Sequence, residues 1–257
     1  MATGGFWQDL LHGLTDLVFP PMRRCAVCDR ETGARLPFCR GCLERLPLIA
    51  PPICRRCGRM LRLCASADGT CRECARESFY FQQARAACLY EGPVREYLHQ
   101  VKFHRSYDMA VALADLLAVF VREEGTFRRY QAVVPVPLHG RREAERGFNQ
   151  AAVLARAVAG VLSRPLLPRA VVRFRPTETQ SRLGRERRRD NVRDAFQAAE
   201  PGLLRGRRIL LVDDIMTTGY TVSECARAIL RAGAVEVGVL TLANGVLDDQ
   251  WLAARNS

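Results

Sequence analysis

One short apolar stretch of the chain is followed directly by a cluster of acidic and small polar residues. Ile209 to Val212 are four consecutive β-branched or leucine residues, and the acidic pair Asp213 and Asp214 comes next. Such a run, without alternation, predicts a strand buried on both faces, as in a parallel sheet. The acidic pair is therefore predicted to lie at the carboxyl edge of the sheet, where open α/β sheets bind ligands.

The residues after the acidic pair predict an anion-binding loop. Thr217, Thr218 and Gly219 form a small-residue segment that leads into a helix ending at Gly233, and a second apolar strand spans Val235 to Leu242. A Thr/Gly loop that begins a helix offers backbone N–H groups and hydroxyls to an anion. Carboxylates beside such a loop suit a phosphorylated sugar.

The remaining apolar segments predict the rest of an α/β domain. Strands are predicted from Ala84, over Ala132 to Val136 and over Leu166 to Phe174, and helices over Val94 to Phe103, Ala110 to Val121 and Gln150 to Leu162. Strands that alternate with helices favour a parallel sheet with helices packed against it.

The N-terminal region is organised by cysteines instead. Nine of the eleven cysteines fall between Cys25 and Cys74. Eight of them form four CxxC pairs, namely Cys25/Cys28, Cys39/Cys42, Cys54/Cys57 and Cys71/Cys74. Two CxxC turns complete the tetrahedron that zinc prefers, so two closed, structural zinc sites are predicted. A disulfide framework is the alternative, and Cys64 could replace one ligand of the second site.

The cysteine distribution predicts two domains. Residues 1–80 would hold an N-terminal helix and the double zinc-binding module, and residues 81–257 the α/β domain. Apolar residues from Phe6 to Phe19 recur at helical spacing, which favours an amphipathic helix packed on the protein's own core over one on a membrane. Neither a secretory signal nor an integral membrane segment is predicted, so we expect a cytoplasmic protein.

Positive charge is concentrated in the second half of the chain. The formal net charge is +12, and residues 139–208 contain 17 arginines against 7 acidic residues. This predicts an anionic partner, either polyphosphate or nucleic acid, with a solvated basic surface as the alternative. Lys102 is the single lysine of a chain that has 38 arginines. A lysine here suggests a point charge that contacts phosphate, and chance is the alternative explanation.

Two further segments suit anionic groups. The strand that ends in Pro137 runs into His139, Gly140, Arg141 and Arg142, an arrangement that could hold a second anion. The long polar segment 177–196 is predicted to be a functional lid.

The assembled motifs resemble the ComF family of phosphoribosyltransferase-domain proteins over nearly the whole chain. The resemblance rests on the double CxxC quartets, the Lys102-Phe103 step, PVPLHGRREAERGFNQ at 135–150, TQSRLGRERRRDNVRDAF at 179–196 and VDDIMTTGYT at 212–221. It implies the type I phosphoribosyltransferase fold and a site for phosphoribosyl pyrophosphate (PRPP).

The resemblance also implies roles for individual residues. Asp213 and Asp214 would be catalytic and bind the ribose hydroxyls, directly or through Mg²⁺. The 5′-phosphate would be bound by Thr217, Thr218, Gly219, Tyr220 and Thr221, and the pyrophosphate by His139, Gly140, Arg141 and Arg142, with Lys102 beside them. The lid would contribute Arg182, Arg185, Arg189 and Asn191.

Three functions follow as expectations. The first is a PRPP-binding, Mg²⁺-dependent phosphoribosyltransferase-type protein in competence-linked DNA uptake or nucleic-acid metabolism. Its partners would be single-stranded DNA and DNA-uptake or helicase proteins, which could hold it at the inner membrane. The second is a non-catalytic scaffold that binds single-stranded DNA and proteins. The third is a nucleobase salvage enzyme, although no segment resembles the hood that recognises a base.

Overall fold

The computed structural model describes residues 23–32, 36–61, 68–175, 190 and 192–245. Packing divides the chain into two compact units, Met1–Arg45 and Leu46–Ser257. In the smaller unit, β1 (Arg23–Arg24) and β2 (Glu31–Thr32) pair antiparallel. The short helix α1 (Arg40–Leu43) follows Cys39 directly.

The larger unit holds the other described elements. Its strands are β3 (Gln83–Leu89), β4 (Ala132–Pro135), β5 (Val171–Arg173), β6 (Phe196–Ala198), β7 (Arg208–Met216) and β8 (Glu236–Asn244). Its helices are α2 (Arg72–Arg76), α3 (Gly92–Phe103), α4 (Tyr107–Glu124), α5 (Gly140–Arg146), α6 (Gln150–Leu162), α7 (Pro201–Leu204) and α8 (Tyr220–Arg231), with a 3₁₀ turn at Thr126–Arg129.

Four strands form the parallel sheet that the sequence predicts. Their order is β3-β8-β7-β4, and every neighbouring pair is parallel. Ile209 to Val212 occupy the centre of β7 and each is 0% exposed. Because burying one such side chain stabilises a fold by about 1.5–3 kcal/mol, this four-residue run is a major part of the core.

The two faces of the sheet are covered by different elements. Ile209 and Leu211 share one hydrophobic core with the apolar side of α8, while Leu210 and Val212 point to the opposite face because successive strand residues alternate. Helix α6 packs against β4 and β7, and α4 packs on α6. By the same alternation Asp213 lies on the α8 face and Asp214 on the other.

Capping residues define where the longer helices begin. The Ser106 Oγ accepts a hydrogen bond from the Met109 N–H at 3.4 Å at the start of α4, which ends at the left-handed Gly125. The Asn149 Oδ1 accepts from the Ala151 N–H at 3.0 Å at the start of α6. These side chains satisfy N–H groups that have no partner within the helix.

The predicted strand over Leu166 to Phe174 was wrong in its extent and placement. Only Val171–Arg173 is a strand, and it pairs antiparallel with β6 in a separate two-stranded sheet. Leu166 forms a single parallel bridge with Val133. Pro168 has no N–H to donate, which explains why regular pairing does not continue through it.

The second four-cysteine group packs within the larger unit. Cys54, Cys57, Cys71 and Cys74 belong to the same hydrophobic core as Ile209 and Leu211. By packing, the chain therefore divides after Arg45, whereas the boundary near residue 80 stays a prediction about sequence modules. The helix over Phe6 to Phe19 and Cys64 lie outside the described residues. In the described part of the chain, no helix has the length and apolar character needed to cross a membrane.

Candidate functional site at the carboxyl edge of the sheet

The acidic pair lies within the last four residues of β7. Asp213 is opposite Thr241 of β8 and is partly exposed, whereas Asp214 is only 8% exposed. The Asp213 Oδ1 accepts a hydrogen bond from the Asp214 N–H at 2.8 Å. The two carboxylates are thus fixed at the edge that the sequence predicts.

The surroundings of the pair are strongly electrostatic. Desolvation, with the adjacent Asp214 charge second, raises the pKa of Asp213 to about 7. The Lys102 Nζ, in the last turn of α3, lies 2.9 Å from the Asp214 Oδ2. The structure therefore brings the single lysine of the chain to the acidic pair.

The loop after β7 leads directly into α8. Thr218 is buried, and Gly219 has φ +84°, a left-handed conformation that favours glycine. A Cβ atom on Gly219 would lie 3.2 Å from the Phe79 ring. The left-handed conformation therefore favours glycine here, a Cβ atom would crowd the Phe79 ring, and the loop leads into a 12-residue helix.

The segment His139 to Arg142, expected to bind the pyrophosphate, forms the N-cap and the start of the short helix α5. His139 caps α5, its Nδ1 accepting from the Arg141 N–H at 3.4 Å, because an imidazole nitrogen can satisfy a free helix N–H. Arg141 is exposed and pairs with Glu145 at 3.0 Å. Arg142 is less exposed, and desolvation lowers its pKa.

A buried arginine that the sequence analysis missed completes the charged cluster. Arg173 is 9% exposed, and its guanidinium lies over the Phe196 ring at 5.3 Å from the centroid. Burial lowers the pKa of Arg173 to about 10; the nearby Arg142 acts in the same direction and Asp213 opposes it. The cluster thus combines two carboxylates with a lysine and a buried arginine at one edge of the sheet.

Two groups of cysteines fit metal ions. In each, the four sulfur atoms lie within 4.8 Å of one another. The Cys28–Cys39 and Cys57–Cys71 Sγ distances are both 3.6 Å. Tetrahedral zinc with bonds of about 2.3 Å places sulfurs about 3.8 Å apart, so both groups fit zinc. The first group is Cys25, Cys28, Cys39 and Cys42, and the second is Cys54, Cys57, Cys71 and Cys74.

The predicted lid residues Arg182, Arg185, Arg189 and Asn191 lie outside the described residues. Their role, like those of the other predicted ligand-binding side chains, stays a prediction.

Comparisons with known proteins agree with this architecture. Residues 14–88 match a double zinc ribbon domain, and residues 149–249 match a phosphoribosyl transferase domain. The chain is 33% identical to the DNA utilization protein YhgH of Salmonella typhimurium over 85% of this chain and 88% of that protein. The chain belongs to the ComF family. Competence protein F of Haemophilus influenzae is 30% identical, with 86% and 96% covered, and competence protein ComFC of Bacillus subtilis is 30% identical, with 85% and 93% covered.

These matches confirm the resemblance to the ComF family and the combination of zinc ribbons with a phosphoribosyltransferase fold.

Two arginines near the site, Arg173 and Arg59, were not identified from the sequence. The alternation of apolar and polar residues from Val172 to Arg175 would place Arg173 on the exposed face, whereas Arg173 is buried and Val172 is exposed. Arg59 carried no local signal, because its partner Thr217 lies 158 residues away.

Proposed function

We propose that this protein binds PRPP with Mg²⁺ at the carboxyl edge of β7. One observation carries the proposal: Asp213 and Asp214 lie in the last four residues of the parallel strand β7, and the Thr217 to Thr221 segment follows that strand and includes the start of α8. The carboxylates would bind the ribose hydroxyls, directly or through Mg²⁺, and the loop would bind the 5′-phosphate. The oxygen-only carboxylate set suits Mg²⁺, which would neutralise part of the pyrophosphate charge.

The nearby cations support binding of the pyrophosphate group. Desolvation lowers the pKa of both Arg142 and Arg173, and the charge of Arg142 lowers that of Arg173 further, so holding these guanidinium groups charged here has an energetic cost. An anionic ligand beside them would relieve this cost. Lys102 adds a third cation, held at Asp214.

The proposal includes phosphoribosyl transfer. In this reaction the bond between ribose C1 and pyrophosphate breaks, and a bond from C1 to a nucleophilic acceptor forms. Cations preorganised around the departing pyrophosphate would stabilise its developing charge. The competence and DNA utilization names of the relatives favour an acceptor or partner in DNA uptake or nucleic-acid metabolism.

Calorimetric titration with PRPP and Mg²⁺ tests the ligand. We expect one PRPP per chain, loss of binding in Asp213→Ala, and unchanged binding in Asp108→Ala, which removes an exposed acid from the first turn of α4. Absence of heat at millimolar PRPP, or identical binding by Asp213→Ala, would refute the proposal. Pyrophosphate release with candidate acceptors tests turnover separately.

A second candidate function has its own observation. Arg55, Arg56, Arg85 and Arg129 line one groove of about 560 Å³, which would suit the phosphates of single-stranded DNA on a non-catalytic scaffold. Binding should then weaken with salt at a log–log slope of about −0.7 for each phosphate contacted. A flat salt response would count against this function.

A further inference from the structure

Arg59 connects the second four-cysteine group to the loop proposed to bind phosphate. It directly follows the Cys54-to-Gly58 turn, and its side chain is 12% exposed. Its Nη2 donates to the Thr217 carbonyl oxygen at 2.6 Å. Its Nη1 lies 3.5 Å from the Glu73 Oε2, between Cys71 and Cys74 in sequence. One guanidinium therefore contacts both Glu73, which lies between two cysteines of the second group, and the first residue of the loop.

The Arg59 contact orients a peptide group of the loop. In a trans peptide the C=O and the following N–H point in opposite directions. Anchoring the Thr217 oxygen towards the cysteine group consequently directs the Thr218 N–H away from it. Backbone N–H groups at the start of a helix are the donors that bind phosphate, so the contact sets the direction of one such donor.

Three further contacts support the same segment. The Phe79 ring packs beneath Gly219. The Tyr220 hydroxyl donates to the Glu77 Oε1 at 3.1 Å, and the Ser223 Oγ accepts from the Tyr80 N–H at 3.1 Å. The loop and the first turn of α8 thus contact Arg59 and residues 77–80 at several points.

We propose that Arg59 is a positioning residue for the phosphate loop, through which the folded second four-cysteine group sets the affinity of the loop for a phosphate ester. The identity of the ligand rests on the proposed function, but the loop contact does not. Removal of the guanidinium frees the Thr217 peptide to rotate, so the loop loses its preorganised donor.

The test compares Arg59→Ala and Arg59→Lys with Arg164→Ala, measuring PRPP affinity with Mg²⁺, zinc per chain, and hydrogen exchange of amides 217–221. Arg164 is an exposed arginine whose Nη2 also donates to a backbone carbonyl, that of Arg128 at 3.3 Å. We expect PRPP affinity to fall about tenfold in Arg59→Ala and about threefold in Arg59→Lys, since one ammonium group cannot serve both Thr217 and Glu73. Arg164→Ala should stay within twofold of the wild type.

Each outcome bears on the proposal. The proposal is supported if the Arg59 variants keep two zinc ions per chain, exchange amides 217–221 faster and bind PRPP more weakly. Wild-type affinity and exchange in either Arg59 variant overturn it. If Arg59→Ala loses zinc, Arg59→Lys decides by the same criterion. If the wild type binds no PRPP, the proposed function fails, while loop exchange in the ligand-free variants still tests the positioning role.

Discussion

Cys25 to Arg30 and Cys54 to Arg59 fold into the same type of turn. In both turns the N–H of the first cysteine donates to the carbonyl of the sixth residue, at 2.8 and 2.7 Å. The fifth residue donates back to the first at 2.9 Å and has a positive φ, +58° for Asp29 and +68° for Gly58. The chain thus uses one local backbone design twice.

The surroundings of the two turns differ. In the first group Cys28 is exposed and Cys39 is partly exposed, whereas all four cysteines of the second group are buried. A Cβ atom on Gly58 would lie 2.5 Å from the Ala84 carbonyl oxygen of β3. Asp29 is exposed and carries a side chain at the equivalent position. The same turn is therefore a local metal-binding turn in the smaller unit and part of the hydrophobic core in the larger unit.

Replacing the first cysteine of each group should give the largest difference. Cys54→Ser should lose one zinc ion and unfold the sheet-containing unit, because structural zinc contributes on the order of 10 kcal/mol to folding. Cys25→Ser should also lose one zinc ion but leave the sheet's unfolding transition in place. Zinc content and calorimetry measure both effects. Equal melting curves for the two variants would remove the distinction between the groups.

A reciprocal exchange at the fifth position of the turn sharpens the comparison. Gly58→Asp should destabilise the larger unit by roughly 2–4 kcal/mol, since the backbone of β3 would have to move. Asp29→Gly should change stability by less than about 1 kcal/mol, because it removes only an exposed pair with Arg24. Thermal unfolding of the two variants measures both effects, and comparable losses of stability would contradict the proposed difference between the two turns.

Much of the larger unit could be predicted because the sequence patterns that indicate its strands, loops and metal-binding turns are local. The run Ile209 to Val212 predicted the buried parallel strand, and the Thr/Gly loop predicted the start of α8. The CxxC spacing predicted both metal-binding groups. Periodicity, spacing and loop composition each depend on a few neighbouring residues, so they can be recognised without knowledge of the tertiary fold.

The unpredicted features depend on distant contacts. Arg59 meets Thr217, and Asn244 donates to the Cys57 carbonyl at 3.1 Å across 187 residues. No periodicity encodes such pairs. The short β5 was overestimated because its apolar residues resemble a longer strand, while Pro168 and the pairing with β6 limit it. The boundary near residue 80 stays a prediction about sequence modules, while by packing the chain divides after Arg45.

The smallest expected effect concerns pH and separates the two faces of β7. Asp213 has a raised pKa, so the folded state keeps a proton that the unfolded state releases above about 3.8. Stability should therefore fall as pH rises from about 4 to about 7. Asp213→Asn should match the wild type near pH 4, where Asp213 is protonated in the folded state and largely so in the unfolded state, and be more stable at pH 8, by on the order of 2 kcal/mol.

Asp214→Asn provides the contrast for this pH effect. It removes the partner of the partly buried Lys102, so it should destabilise the protein at pH 8. Melting temperatures at both pH values measure the two variants. A wild-type pH profile in Asp213→Asn would show that Asp213 is not the titrating group.

The most direct test of the account follows zinc release and hydrogen exchange together after a chelator is added to the ligand-free protein. We predict two phases of release. Loss of the first zinc ion leaves exchange in β7 and in amides 217–221 unchanged, and loss of the second accelerates exchange in both. If both zinc ions leave while those amides keep their protection, the second four-cysteine group does not support the loop, and the account is contradicted.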